Sequence, residues 1–218
     1  MQKEKTNRRP IRLRENKWLR ETATWLARVG MRPNQVSIMN VVFAGMGGIC
    51  LILAAISNPG WRVVLFIAAA LSIPLRGLCN LCDGLMAVEG GLKTRSGEIF
   101  NDLPDRLSDS LLLVAAGYSI TGVGWGHELG WAAAILAVLT AYVRVLGGSA
   151  GASQQFCGPM AKTQRMLVIM AACLIAALEA AVGWNLHAMV PALFVIIVGC
   201  VLTISQRTRR IVNELESR

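Results

Sequence analysis

Six long apolar runs occupy most of this chain, and they limit the folds that it can adopt. Each run reaches about the 20 residues that a helix needs to cross the hydrocarbon core of a bilayer. Backbone groups in lipid must satisfy one another, which favours helices, and the strict alternation of a membrane β-barrel is absent from the sequence. We therefore predict an all-α integral membrane bundle of six transmembrane helices. The predicted spans are Val36–Ser57, Arg62–Val88, Phe100–Gly122, Trp131–Gly148, Met166–Trp184 and Met189–Ser205.

The basic residues of the chain are unevenly distributed. The net charge is +9, and 10 of the 22 Lys and Arg residues precede the first span. Among the connections between spans, the second and fourth carry Lys93–Arg95 and Lys162–Arg165, whereas the others are almost without basic residues. The positive-inside rule then places both termini in the cytoplasm. The same excess predicts contact with anionic membrane lipids. It does not favour nucleic-acid binding, because interleaved aromatic residues and a recognition motif are missing.

The segment before the first span mixes basic and apolar side chains over residues 10–30. Its basic region is too long for a secretory signal peptide. This composition predicts an amphipathic helix at the cytoplasmic membrane interface, with a flexible basic tail as the alternative. Connections are short, so we predict one membrane domain over 1–218. It comprises a basic and interfacial segment at 1–33, the bundle at 34–206 and a cytoplasmic tail at 207–218.

A stripe of polar residues interrupts the second and third predicted spans. Asn80 and Asp83 lie three residues apart, while Asn101, Asp105 and Asp109 recur every fourth residue, so each set shares a helical face. A charged residue in a transmembrane helix costs about 2.5–3.5 kcal/mol on insertion scales and usually marks a functional site. Carboxylate and amide oxygens suit a hard divalent cation such as Mg²⁺ or Mn²⁺. We therefore expect a site for a divalent cation and a phosphate group between these helices.

Small and basic residues accompany the acids. Gly84, Ala87 and Gly97 have minimal side chains, which leaves room for a bulky substrate against the helix backbones. Arginines within the spans are suited to pair either with a phosphate or with the acids themselves, and the second pairing would make the acids structural. These arginines are Arg76, Arg106 and Arg144.

The spacing of these residues resembles the signature motif of the CDP-alcohol phosphotransferases, or CDP-alcohol phosphatidyltransferases. The resemblance extends to the six spans, the basic N-terminus and the Pro33-Asn34 entry to the first span. The matching run is Asp83-Gly84-x-x-Ala87 followed by Gly97-x-x-x-Asn101-x-x-x-Asp105.

The chain departs from the family pattern at three positions. Asn80 and Asn101 stand where the family has Asp, and Val88 stands where it has Arg. Two negative charges are thereby lost from the cluster, although an Asn carbonyl oxygen still ligates a cation, more weakly. The arrangement is similar to that of a divergent bacterial branch of the family.

The resemblance implies a division of roles among the residues. Asp105 falls on the position of the catalytic base, and Mg²⁺ or Mn²⁺ would be the cofactor. The implied metal ligands are Asn80, Asp83, Asn101 and Asp105, with Asp102 as a compensating acid. Residues implied to contact the CDP-lipid are Gly84, Ala87, Gly97 and Arg95, and those implied to contact the acceptor are Arg144, Lys162 and Arg165.

The activity implied by the resemblance is transfer of a phosphatidyl group from CDP-diacylglycerol to a small alcohol or alcohol phosphate, with release of CMP. The enzyme would be a homodimer in the bacterial inner membrane. Two alternatives stay open. One is a catalytically silent homologue that still binds a CDP-lipid, which the two Asn residues suggest, and the other is a small transporter.

Overall fold

A computed structural model describes residues 17–89, 96–184 and 187–217 of the chain. All regular structure in these ranges is helical, so the all-α prediction is confirmed there. Each of the six predicted spans overlaps one of the last six helices. The helices are α1 (Lys17–Arg28), α2 (Pro33–Ile56), α3 (Pro59–Glu89), α4 (Gly97–Tyr118), α5 (Gly126–Ser149), α6 (Lys162–Val182) and α7 (Met189–Glu216).

Five helices in the described part of the chain are long and apolar enough to cross a membrane, namely α2, α3, α5, α6 and α7. Helix α4 has 22 residues, which is long enough, but its first half carries the predicted polar stripe. Asp102, Asp105 and Arg106 lie in this half, and Asp109 follows just beyond it. By its composition alone, α4 therefore does not qualify as a membrane span.

Local sequence explains where several helices begin and end. Pro33 occupies the start of α2, where its missing N–H is not needed, and the Gln35 side chain accepts a hydrogen bond from the backbone N–H of Arg32 at 2.9 Å. The Asn58 side chain accepts the backbone N–H of Trp61 at 3.1 Å and so caps α3. Helix α6 ends at Gly183, whose φ of 76° is left-handed.

Helix α7 continues through the segment that the sequence predicts as a tail. Apolar periodicity weakens after Ser205, but the helix runs on to Glu216 because residues in its last turns pack on the bundle. Ile211 is buried, and its side chain lies directly over Gly147 of α5. The chain from 207 to 216 is thus an extension of the last helix rather than a separate tail.

Helix α4 lies between α2 and α5, and α3 packs against α2 and α6. The core between these helices is apolar and closely packed, and it includes the fully buried side chains Leu51, Leu112, Leu113, Ile169 and Leu193. This packing places the polar half of α4 against α2, α3 and α6 at one end of the bundle.

Replacing Gly130 with Ala should destabilise the contact between α4 and α5. A Cβ at Gly130 would lie 2.8 Å from the carbonyl oxygen of Leu113 and 2.9 Å from the Cα of Gly117, so backbones would have to separate. Overpacking of this kind costs about 1–3 kcal/mol. Gly45 of α2 has nothing within 4 Å of the same added atom, which makes Gly45→Ala the matched control. Thermal unfolding in detergent should show a lower midpoint for Gly130→Ala than for Gly45→Ala, and equal midpoints would contradict the close approach.

Candidate active site

Asp105 of α4 is the point where four helices meet. Its side chain is buried, and its Oδ1 accepts a hydrogen bond from Asn40 Nδ2 of α2 at 2.8 Å. The same oxygen accepts from Asn80 Nδ2 of α3 and pairs with the ammonium of Lys162 at the start of α6. Because one carboxylate oxygen is shared by donors from three other helices, the position of the Asp105 carboxylate is fixed.

Asp83 of α3 is the second buried acid of this site. Its Oδ2 accepts the hydroxyl of Ser37 from α2, while its Oδ1 is buried without a hydrogen-bond partner in the described part of the chain. Asp83 lies beside Asp105, because Ser37 and Asn40, three residues apart on α2, hydrogen-bond to Asp83 and Asp105 respectively. A buried carboxylate oxygen without a donor is costly, and a bound cation would satisfy it.

Asp109 lies one turn further along α4 in a separate ion-pair cluster. Arg76 Nη2 of α3 lies 2.7 Å from Oδ1, and Arg165 Nη2 of α6 lies 2.8 Å from Oδ2. All three side chains are almost completely buried. Arg76 Nε also donates to the Oδ1 of Asn40 at 3.1 Å, so Asn40 links this cluster to Asp105.

Asp102 occupies a more open position on α4. Its half-exposed carboxylate pairs with Arg144 Nη2 of α5 at 2.9 Å and with Arg106 Nη2 at 3.3 Å. The Arg144 guanidinium also lies over the ring of Phe156, 5.5 Å from its centroid. This group forms a basic rim beside the buried acids.

The connection between α5 and α6 brings Lys162 to Asp105, and α7 holds this connection at three points. The backbone N–H of Met160 donates to Thr203 Oγ1 at 3.0 Å, and Arg207 Nε donates to the carbonyl oxygen of Cys157 at 2.9 Å. Nearer the end of α7, Glu214 accepts the backbone N–H and the hydroxyl of Ser153, at 2.8 Å and 2.6 Å. We call this contact, formed by Thr203, Arg207 and Glu214, the α7 clasp.

The structure brings together some of the residues predicted from the sequence and separates others. Asn80 and Lys162 meet at Asp105, with Asp83 beside them. Gly84, Ala87 and Gly97 are half-buried near the same ends of α3 and α4, whereas Asn101 is exposed. Arg165 and Arg144 contact Asp109 and Asp102 respectively. Arg95 lies outside the described residues.

Three residues of the site were not selected from the sequence. Ser37 and Asn40 lie three residues apart in the apolar helix α2, and a polar pair on one face of a span was the available signal. The sequence places Arg207 in the predicted tail, and its burial follows only from the packing of α7.

The donor set fits a single hard divalent cation. The described residues contain no group of three His, Cys, Asp or Glu able to hold a metal. Asp83 and Asp105 nevertheless offer two carboxylates, and Asn80 offers a carbonyl oxygen. Mg²⁺ is commonly bound by one or two carboxylates together with substrate phosphates, which matches this set.

No family model matches the chain. An uncharacterized protein of Aquifex aeolicus is 25% identical over 202 residues, covering 91% of each chain. Inner membrane protein YnbA of Escherichia coli is 25% identical over 150 residues, covering 69% of this chain and 70% of its own.

Solved structures match over a similar share of the chain. The phosphatidylinositol phosphate synthase PgsA1 of Mycobacterium tuberculosis with CDP-DAG bound superimposes with a TM-score of 0.75 and 18% identity, over 90% of this chain and 94% of that one. The same protein with manganese and citrate gives a TM-score of 0.74 and 19% identity, over 88% of each chain. The chain therefore has the fold of this synthase, which belongs to the family whose motif the sequence resembles.

Proposed function

We propose that this chain is a CDP-alcohol phosphatidyltransferase. It would transfer a phosphatidyl group from CDP-diacylglycerol to a small alcohol and release CMP. The observation that carries the proposal is the convergence of the two remaining motif acids, Asp83 and Asp105, from two helices of this fold. Ser37 and Asn40 of α2 hydrogen-bond to Asp83 and Asp105 respectively, and Asn80, three residues before Asp83, also hydrogen-bonds to Asp105. A protein with the same fold has been seen with CDP-DAG and with manganese, which supports both the substrate and a divalent cofactor.

Asp83 and Asp105 would hold one Mg²⁺ or Mn²⁺, assisted by the carbonyl oxygen of Asn80. When bound, the cation would neutralise charge on the diphosphate of the CDP-lipid. Asp105 would accept the proton of the acceptor hydroxyl. The oxygen of that hydroxyl would bond to the phosphatidyl phosphorus as the bond from phosphorus to CMP breaks. Ser37, Asn40 and the backbone of the helices fix the two acids for this step.

The remaining predicted ligands would act around this centre. Asn101 would be a further ligand of the cation, and Asp102 would add negative charge near it. The CDP-lipid would be bordered by Gly84, Ala87, Gly97 and Arg95. Arg144, Lys162 and Arg165 would favour an anionic acceptor such as an alcohol phosphate. Lys162 and Arg165 already pair with the buried acids Asp105 and Asp109, whereas Arg144 pairs with the half-exposed Asp102.

The chain would lie in a bacterial inner membrane, as the name of its E. coli relative suggests. Helix α4 would also span the membrane, which gives six spans in all. Its buried acids would be neutralised inside the bundle by Arg76, Lys162 and Arg165. Both termini would be cytoplasmic, and the enzyme would be a homodimer. Helix α1 would lie at the interface, since Trp18 and Trp25 are exposed while Leu19 faces the bundle.

A catalytically silent homologue that binds a CDP-lipid is the second candidate. The observation in its favour is the pairing of Asp105 with Lys162, which leaves the site with less negative charge than two free acids would give. A transporter is less well supported. Among the described residues, three of the four buried acids (Asp83, Asp105 and Asp109) cluster at one end of the bundle, and the fourth, Glu179, lies near the far end of α6.

The direct test is CMP release by the purified full chain in liposomes with CDP-diacylglycerol, Mg²⁺ or Mn²⁺, and a panel of alcohols. The panel should include serine, inositol, glycerol 3-phosphate and inositol phosphate. Metal-dependent CMP release with one acceptor is expected, and chelation with EDTA should stop it. Absence of CMP across the panel, with retained binding of CDP-diacylglycerol, would favour the silent homologue.

A further inference from the structure

The ammonium of Lys162 occupies a position where a cation is expected. Lys162 is the first residue of α6, and its side chain is 28% exposed, so solvent screens it only in part. It pairs with Asp105 Oδ1, the oxygen that also accepts from Asn40 and Asn80. A protein cation therefore already neutralises one of the two proposed metal-binding carboxylates.

The ion pairs at Asp105 and Asp109, counted together with Asp83, balance in charge without a metal ion. Arg76 and Arg165 both pair with Asp109, and Lys162 pairs with Asp105. Acids at positions 80 and 101 would add two negative charges, and Asn at both positions removes that demand for positive charge. The three acids Asp83, Asp105 and Asp109 are matched by the three cations Arg76, Lys162 and Arg165.

From this geometry we infer that Lys162 is a built-in counter-cation that shares Asp105 with the divalent cation. The ammonium limits the site to one divalent ion and weakens the binding of that ion. Uptake of the ion loosens the pair between Lys162 and Asp105. This inference rests on one part of the proposed function, the binding of a divalent cation at Asp83 and Asp105.

The test measures Mn²⁺ binding to the purified full chain by isothermal titration calorimetry, without lipid substrate. Lys162→Met keeps the length of the side chain and removes its charge. Because a unit charge within a few ångströms repels a second cation strongly in a partly buried site, we expect Mn²⁺ to bind at least about tenfold more tightly than in the wild type. Lys162→Arg should bind as the wild type does.

Two controls locate the effect. Lys17→Met removes the same charge from the exposed surface of α1 and should leave Mn²⁺ binding unchanged. Adding Asp83→Asn to Lys162→Met should abolish the tighter binding. Equal or weaker Mn²⁺ binding by Lys162→Met, or tight binding that survives Asp83→Asn, would overturn the inference.

A second measurement uses the wild-type chain and does not depend on the folding of a variant. Mn²⁺ should increase the labelling of Lys162 by an amine-reactive reagent relative to Lys17, as read by mass spectrometry. Unchanged or reduced labelling would overturn the inference. Neither readout requires CMP release, so tighter Mn²⁺ binding in a chain that releases no CMP would refute the proposed function and leave this inference standing.

Discussion

Replacing Asp105 with Asn should reduce the rate of CMP release by about 10²- to 10⁴-fold, the range over which a positioned base contributes. The Asn side chain has nearly the same volume, and its carbonyl oxygen still accepts from Asn40 and Asn80. What is lost is the negative charge that accepts the proton of the acceptor and binds the cation. The measurement is the initial rate of CMP release in liposomes at saturating Mn²⁺.

Asp102→Asn is the matched control for this prediction. Asp102 lies on the same helix less than one turn away, and its carboxylate is half-exposed beside Arg144 and Arg106. We expect a much smaller loss, seen mainly in the KM for an anionic acceptor. If Asp105→Asn kept more than a tenth of the wild-type rate, Asp105 would not be the base.

Replacing Asp109 with Asn should lower the free energy of unfolding by about 3–5 kcal/mol, as expected when one partner of a buried ion pair is removed. Arg76 and Arg165 would keep their charges in a site from which solvent is almost excluded. Their guanidinium groups would then lack the carboxylate that holds them 2.7 Å and 2.8 Å away. Thermal or denaturant unfolding in detergent measures the effect.

Asp102→Asn again serves as the comparison, because ion pairs that are partly exposed contribute about 0–1 kcal/mol. Any loss of CMP release in Asp109→Asn should follow the fraction of folded protein, since Asp109 is engaged by arginines rather than by substrate. Equal stabilities of the Asp109 and Asp102 variants would show that the buried cluster is not a structural centre.

Apolar length was sufficient to predict a helical chain, and helical spacing placed Asn80 and Asp105 on two polar faces that were expected to converge. The same spacing did not reveal that Asn101, Asp105 and Asp109 have different surroundings. A step of four residues turns a helix by about 40° beyond a full turn, so eight residues shift a side chain by about 80°. Asn101 is therefore exposed, while Asp109 faces α3 and α6.

Other parts of the site depend on tertiary packing and have no local sequence pattern. Ser37 and Asn40 become partners of the acids only because α2 packs beside α3 and α4. In the sequence, Lys162 is one of the basic residues that set topology. Its pairing with Asp105 depends on how the connection before α6 positions the start of that helix. The extension of α7 past Ser205 is stabilised by contacts with residues about 50 to 60 positions earlier.

The α7 clasp has a consequence for the order in which the chain assembles. Thr203, Arg207 and Glu214 are synthesised after the whole connection that they hold and after the helix that begins with Lys162. During insertion from the ribosome, that connection emerges without any of these anchors, and domains fold as their elements become available. We therefore expect the connection that precedes Lys162 to be anchored only once α7 has been inserted.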